Sequence, residues 1–496
     1  MGPDAAQGLI GELRAVCDAI AADPELQPVH PLVERDRARL GEPLRVAVSG
    51  PISAGKSTLV NCLIGRCLAA TGSGETTMAN WWFRHGPNEV HVRRPDGTMR
   101  TMPLEADGTL PPLGPIDLES ENPIDVRIDA EWLKGMTVID TPGLCSPTKE
   151  RSERARALLR DRTTRAAGMA DALVYVTNQI PGAAADDAQL REFQELFGPV
   201  SKAPTNAVLI LSKVDGWWKA STRDQREPLA IGHSMLAGHQ SELRHRVWDA
   251  LPVVGLLAQT ACAMRAIDQT VVADLQALAQ SPDRATMLLD RRLLAAARSP
   301  LPAERQVALH DAFGMYGLHV ALELAERGDP QLLADELRRL SGFERVRKLI
   351  DETFRSRSTL LRADALLTSL ERLALARHGG LSSQAADRLR GHVETVRTGE
   401  HCIALRALQL LREIADRRTV LSASQRDELR ELFGADAAAA SLPLSLEQVL
   451  RRRDAWHALE MRRPSPPQLR RIAAEARRAL DDMVGRVDGT TSGNVA

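Results

Sequence analysis

The segment RVAVSGPISAGKSTLVNCLIG, Arg45–Gly65, constrains the fold more than any other, because a β-rich run delivers GxxxxGKS to the start of an apolar helical face. Gly50 and Gly55 permit a turn whose successive N–H groups point inward, and the helix that follows adds the positive end of its dipole. Such a loop holds phosphate. Lys56 is expected to reach the β- and γ-phosphates of a nucleotide and Ser57 to ligate Mg²⁺, with Gly50, Ser53, Ala54, Gly55 and Thr58 lining the cradle. Arg45–Ser49 is β-propensive, and Leu59, Val60, Leu63 and Ile64 recur at helical spacing.

A chain of 496 residues is long for a single core and predicts two or three domains. Its 64 Lys and Arg nearly balance 65 Asp and Glu, so no global field favours nucleic acid, and any lipid or RNA contact must be local. Cys17, Cys62, Cys67, Cys145, Cys262 and Cys402 have no CxxC spacing, which fits free thiols in a reducing cytosol. The start, MGPDAAQGLIGELRAV, lacks the regions of a signal peptide, and no apolar run approaches the length of a membrane span. The expected location is cytoplasmic, with any membrane role peripheral, at the inner face of the cell membrane.

Six of the seven Trp lie before residue 250, whereas no proline falls between Pro330 and Pro443 in a chain that has 28. The first part reads as α/β. TVID, ALVYVT and AVLILS alternate with amphipathic stretches, the pattern of a covered, mostly parallel sheet. Asp96-Gly97 predicts a hairpin turn. The second part reads as long helices: one over Leu332–Ala376, about 65 Å if continuous, and a second over Ser382–Arg418, with shorter ones near Ser424–Phe433, Ser445–Met461 and Pro467–Val484. The expected division is N-terminal helices over 1–41 docking on the bundle, a nucleotide-binding α/β domain over 42–270, a helical bundle over 271–485 and a disordered tail over 486–496.

A phosphate loop does not choose its base. AVLILSKVD places SKxD after an apolar strand, and Asp215 would accept both the N1–H and N2–H₂ donors of guanine, which adenine cannot supply. The Lys213 stem would lie over the base, and Ser212, where Asn or Thr is usual, can hydrogen-bond the phosphate loop. The later segment LPVVGLLAQT, Leu251–Thr260, is a further place for a base-contacting loop. Asp140-Thr141-Pro142-Gly143 follows the strand MTVI, so Asp140 would hold a Mg²⁺-bound water and the Gly143 N–H would meet the γ-phosphate. Thr77, with Thr76 beside it, is the candidate switch threonine on Mg²⁺. Lys56, Ser53 and Thr77 are the catalytic candidates, through positioning and charge compensation rather than a covalent nucleophile. Ser53 would orient water or a cation, or equally serve as a loop-stabilising hydroxyl; Leu144 stands where the water-positioning Gln of Ras-type proteins follows the DxxG.

GKSTLVNCLIG, ETT, DTPG, SKVD and a long helical remainder together resemble the dynamin superfamily, most closely the isoniazid-inducible dynamin-like proteins of actinobacteria. TTMANWWFRHG, LPVVGLLAQTA and AFGMYGLHVALELA look like stretches of that family, so the resemblance covers most of residues 1–485. It implies GTP hydrolysis with Mg²⁺, nucleotide-dependent homodimers or heteromers with a paralogue, and membrane fission or fusion. Ile52 stands where eukaryotic dynamins carry a catalytic Gln, and Ala70 replaces a common Pro. For lipid contact the candidates are the turns Arg377–Ser383 and Gly434–Leu446 and the basic stretch Arg451–Arg478, against anionic lipid; the last also reads as a solvated helix face. Two other functions fit the motifs: a GTPase of RNA or ribosome assembly, and a slow GTP-gated scaffold paired with a paralogue. No RNA-binding module follows residue 270, so nucleic acid is not an expected partner.

Overall fold

Strands that are apolar on both sides need cover on both, and this chain supplies that cover from both of its ends. The computed structural model describes residues 3–69, 80–114, 123–141, 170–179, 204–218, 227–244, 246–262, 268–399, 403–415, 421–434 and 445–492. Among these, one nine-stranded sheet forms from β1 (Leu44–Ser49), β2 (Trp81–His85), β3 (Glu89–Arg93), β4 (Met99–Pro103), β5 (Ile124–Ile128), β6 (Met136–Asp140), β7 (Ala172–Thr177), β8 (Ala207–Leu211) and β9 (Asp249–Pro252). Their order is β4-β3-β5-β2-β6-β1-β7-β8-β9. The run β6-β1-β7-β8-β9 is wholly parallel; antiparallel pairing enters at β2–β6 and around β3. Asp96-Gly97 makes the β3–β4 hairpin, with Gly97 at φ 85° and Asp96 Oδ1 accepting from the Thr98 backbone N–H at 2.8 Å.

The helices are α1 (Pro3–Ala22), α2 (His30–Arg39), α3 (Lys56–Ile64), α4 (Pro228–Gly238), α5 (Gly255–Cys262), α6 (Gln269–Ala279), α7 (Ala303–Ala325), α8 (Pro330–Ser341), α9 (Phe343–Ile350), α10 (Ser358–Leu375), α11 (Ser383–Thr398), α12 (Ile403–Ala415), α13 (Ala423–Gly434), α14 (Leu446–Met461) and α15 (Pro467–Ser492), with shorter helical turns between some of them. Alternation along β1 sends Val46 and Val48 to one face and Ala47 to the other. The first face is covered by α3, by α1 and α2, and by the apolar sides of α9 to α11. The second is covered by α5 to α8. A third cluster, around Trp456, Leu429 and Ile472, joins α12 to α15.

Helix α1 packs on α10 and α11, and α2 packs on α10. The expected boundary at 270/271, however, is not where the cores divide. Residues 269–341 join α5 in covering the second face of the sheet, so their apolar side chains belong to the same core as its strands. Nor is Leu332–Ala376 one helix. Gly342, at φ 72°, ends α8 where an added Cβ would lie 3.2 Å from the Pro252 carbonyl, so the sheet's edge turns the chain. A π-helical turn, Asp351–Arg355, then precedes α10. There Arg355 donates to the Trp132 carbonyl at 2.6 Å, and the Trp132 indole donates to Asp351 at 3.2 Å, tying the turn to the sheet. The second long helix is likewise divided, into α11 and α12. At the other end α15 runs from Pro467 to Ser492, past the expected start of the tail at 486, and the Arg477–Asp481 pair at 2.7 Å supports its middle.

Candidate active site

The parallel strands end together at their carboxyl edge, which is where an open α/β sheet presents its ligand site. At the end of β1, Gly50 takes φ 148° and passes so close to β7 that an added Cβ would sit 1.9 Å from the Val176 carbonyl oxygen. Only glycine fits there. Ser53 (φ 61°) and Gly55 (φ 94°) complete the turn, and Gly55 caps α3. Lys56 is buried and donates to the Pro51 carbonyl at 2.9 Å, folded back over the loop it belongs to. Burial pulls its ammonium below the usual lysine range, with Asp140 opposing. Ser53 and Ile52 are exposed on the same loop.

At the end of the neighbouring β6, Asp140 faces Ser57, whose hydroxyl donates to Oδ2 at 3.2 Å. Burial pushes the Asp140 carboxyl up to about 6, against the pull of Lys56 and then Ser57. Its Oδ1 is buried without a hydrogen-bond partner. A carboxylate with one orphaned oxygen beside a serine hydroxyl suits a hard cation that keeps some of its waters, so these residues fit Mg²⁺. Thr76, Thr77, Gly143 and Leu144 lie outside the described residues.

The SKVD motif leaves β8 beside the phosphate loop. Ser212 Oγ donates to the Ala54 carbonyl at 2.5 Å and lies 3.1 Å from the Thr177 carbonyl, bridging the loop and β7. Lys213 is exposed in a left-handed conformation (φ 56°), and Asp215 is half-buried, its carboxyl raised chiefly by burial. Val253, in the segment after β9, donates its N–H to the Leu211 carbonyl at 2.8 Å, which places Leu251–Thr260 next to SKVD. Two further elements adjoin this end. Trp218 packs edge-on against Tyr316 of α7, with ring centroids 5.4 Å apart, and Gly314 of α7 lies against Asp215. Neither was expected, although two glycines inside the helical stretch AFGMYGLHV were a visible irregularity.

Two comparisons bear on kinship. The description "Dynamin family" matches residues 46–213, from β1 to SKVD. Isoniazid-induced protein IniC of Mycobacterium tuberculosis, from strain CDC 1551 / Oshkosh and strain H37Rv alike, is 30% identical over 433 residues, covering 84% of this chain and 83% of its own length. The chain belongs to the dynamin family. It is a bacterial dynamin-like GTPase, homologous to IniC. Among solved structures, an oligomerised bacterial dynamin pair, described as a mechanism for the long-range sensing and tethering of membranes, overlaps 99% of this chain and 76% of its own at 14% identity and a TM-score of 0.31. Aquifex aeolicus Era bound to GDP and AlF4⁻ overlaps 42% of this chain and 50% of its own at 16% identity and 0.24.

Proposed function

We propose that this dynamin-like GTPase binds GTP with Mg²⁺ between the phosphate loop, Asp140 and SKVD, and couples its hydrolysis to remodelling of anionic membranes as a peripheral protein. The observation that carries the nucleotide reading is the cluster of Lys56, Ser57 and Asp140, tied through the Ser212–Ala54 bond to a carboxylate at the base end. Lys56 exchanges the Pro51 carbonyl for phosphate oxygens, and the loop N–H groups orient the β-phosphate. Ser57 and Asp140 hold Mg²⁺, which when bound offsets charge on the phosphates. Asp215 accepts from guanine, and Thr77 is the residue proposed to complete the switch.

For the membrane, no described helix is long and apolar enough to cross a bilayer. Two exposed turns remain candidates. The Arg377–Ser383 turn carries Leu375 at its approach, 71% exposed, but rests on Pro28 beneath Gly379. The turn between α14 and α15 carries Met461, 61% exposed, next to exposed Arg462 and Arg463. Along these helices Arg451, Arg453, Arg477 and Arg478 are each paired with a carboxylate, while Arg462 and Arg463 stand exposed at the turn. Most of Gly434–Leu446 lies outside the described residues. The α14–α15 turn is therefore the proposed lipid contact, at about 1 kcal/mol per exposed arginine near an anionic surface.

The test is GTP turnover at fixed protein concentration with and without phosphatidylglycerol vesicles. Stimulation, lost in Met461→Glu/Arg462→Glu, supports membrane-coupled turnover. Turnover indifferent to vesicles but raised by a paralogue favours the gated scaffold, and stimulation by RNA alone would replace the membrane reading.

A further inference from the structure

The α7 helix is interrupted at Gly314, whose φ of 66° and ψ of 175° lie in a region essentially reserved for glycine. Glycine in the middle of a helix already costs stability, and this one is buried besides. What the interruption touches is specific. A Cβ at Gly314 would stand 3.6 Å from Asp215 Oδ2 and 3.3 Å from Leu256 Cδ2. Two residues before it, the Ala312 carbonyl accepts a hydrogen bond from the buried hydroxyl of Thr260 on α5. Beyond it, Tyr316 meets Trp218 edge-on and His319 meets it at a tilt, with ring centroids 5.4 and 5.0 Å away. Gly317, in turn, lets α7 press on Leu257 of α5, where an added Cβ would come within 2.3 Å of Cδ2. The helix thus bends at one residue, is fastened there from α5, and grips the loop that follows SKVD.

We infer that the kinked segment of α7, with Gly314 at its centre, is the outer wall of the base site and positions the Asp215 carboxylate for guanine. This rests on the guanine-nucleotide reading above. It assigns the two glycines of AFGMYG to two tasks. Gly314 leaves room beside the carboxylate, and Gly317 brings the helix close enough to form the wall. Gly314 is a positioning residue. A side chain there is strained by its φ and pushes on Asp215 and Leu256 together.

The experiment compares GDP with inosine diphosphate, which keeps N1–H but lacks the 2-amino group, by direct titration of the full chain. The wild-type protein is expected to prefer GDP. In Gly314→Ala, GDP affinity falls about tenfold and the preference over inosine diphosphate shrinks about fivefold, because a displaced carboxylate no longer receives both donors. Thr260→Val, which keeps the shape but frees the Ala312 carbonyl, moves the same ratio the same way by about threefold and decides the question if Gly314→Ala does not fold. A folded variant with unaltered GDP preference overturns the inference while leaving the guanine reading intact. A wild-type protein without that preference overturns both.

Discussion

The two ends of the proposed nucleotide site are built differently. Among the described residues, the phosphate end comes from one short stretch, Gly50–Thr58, with Asp140 from the adjacent strand, and its contacts are local: Lys56 to the Pro51 carbonyl, Ser57 to Asp140. The base end is assembled from three separated segments: SKVDGWW after β8, the α5 segment after β9, and the kink of α7, nearly 100 residues beyond Asp215 in the sequence. A phosphate loop needs only backbone N–H groups and one cation, which a local turn can organise by itself. Reading a base needs a carboxylate held at one angle over a flat surface, and that takes walls from elsewhere. Variants at the phosphate end are therefore expected to weaken all nucleotides alike, whereas variants at the base end exchange one base for another.

The largest effect is expected from Lys56→Ala, which removes the buried ammonium. Affinity for GDP and xanthosine diphosphate should fall together, by about a hundredfold or more. Near-normal binding in a titration would take Lys56 out of the phosphate site. Asp215→Asn tests the other end: GDP binding should drop roughly thirtyfold while xanthosine diphosphate gains, since the amide donates where the carboxylate accepted. Unchanged base choice would break the contrast. Asp140→Asn should act on neither base nor loop but on the cation, raising the Mg²⁺ concentration for half-maximal GTP turnover about tenfold. A magnesium titration that superimposes on wild type would remove Asp140 from the metal.

The same contrast explains what the sequence made legible. GxxxxGKS and SKVD are each a few residues whose spacing dictates a backbone shape, and Asp96-Gly97 encoded its hairpin turn in the same way. The apolar runs also revealed a sheet covered on both faces. Which helices cover which face was not legible, because α6 to α8 and α9 to α11 carry similar apolar stripes, and only the two packed faces distinguish them. Helix breaks at Gly342 and Gly314 were missed for a related reason. Periodicity continues through both, while the turn is imposed from outside, by Leu229 and Pro252 in one case and by Thr260, Leu256 and Asp215 in the other. AFGMYG was visible as a family likeness, but its two glycines acquire meaning only beside α5.

Ser212 stands at the boundary and gives the smallest expected effect. It departs from the Asn or Thr usual at its position, yet its hydroxyl still spans from the base loop to the Ala54 and Thr177 carbonyls. Removing it in Ser212→Ala leaves the Ala54 carbonyl without this donor, a loss of about 1 kcal/mol or roughly fivefold in affinity. Because the bond fastens the two ends without touching a base donor, GDP and xanthosine diphosphate should weaken equally. Parallel titrations decide it. A change in base preference would move Ser212 into the base end, and no change in either affinity would mean that the phosphate loop holds its shape unaided, so that the two ends are independent as well as different.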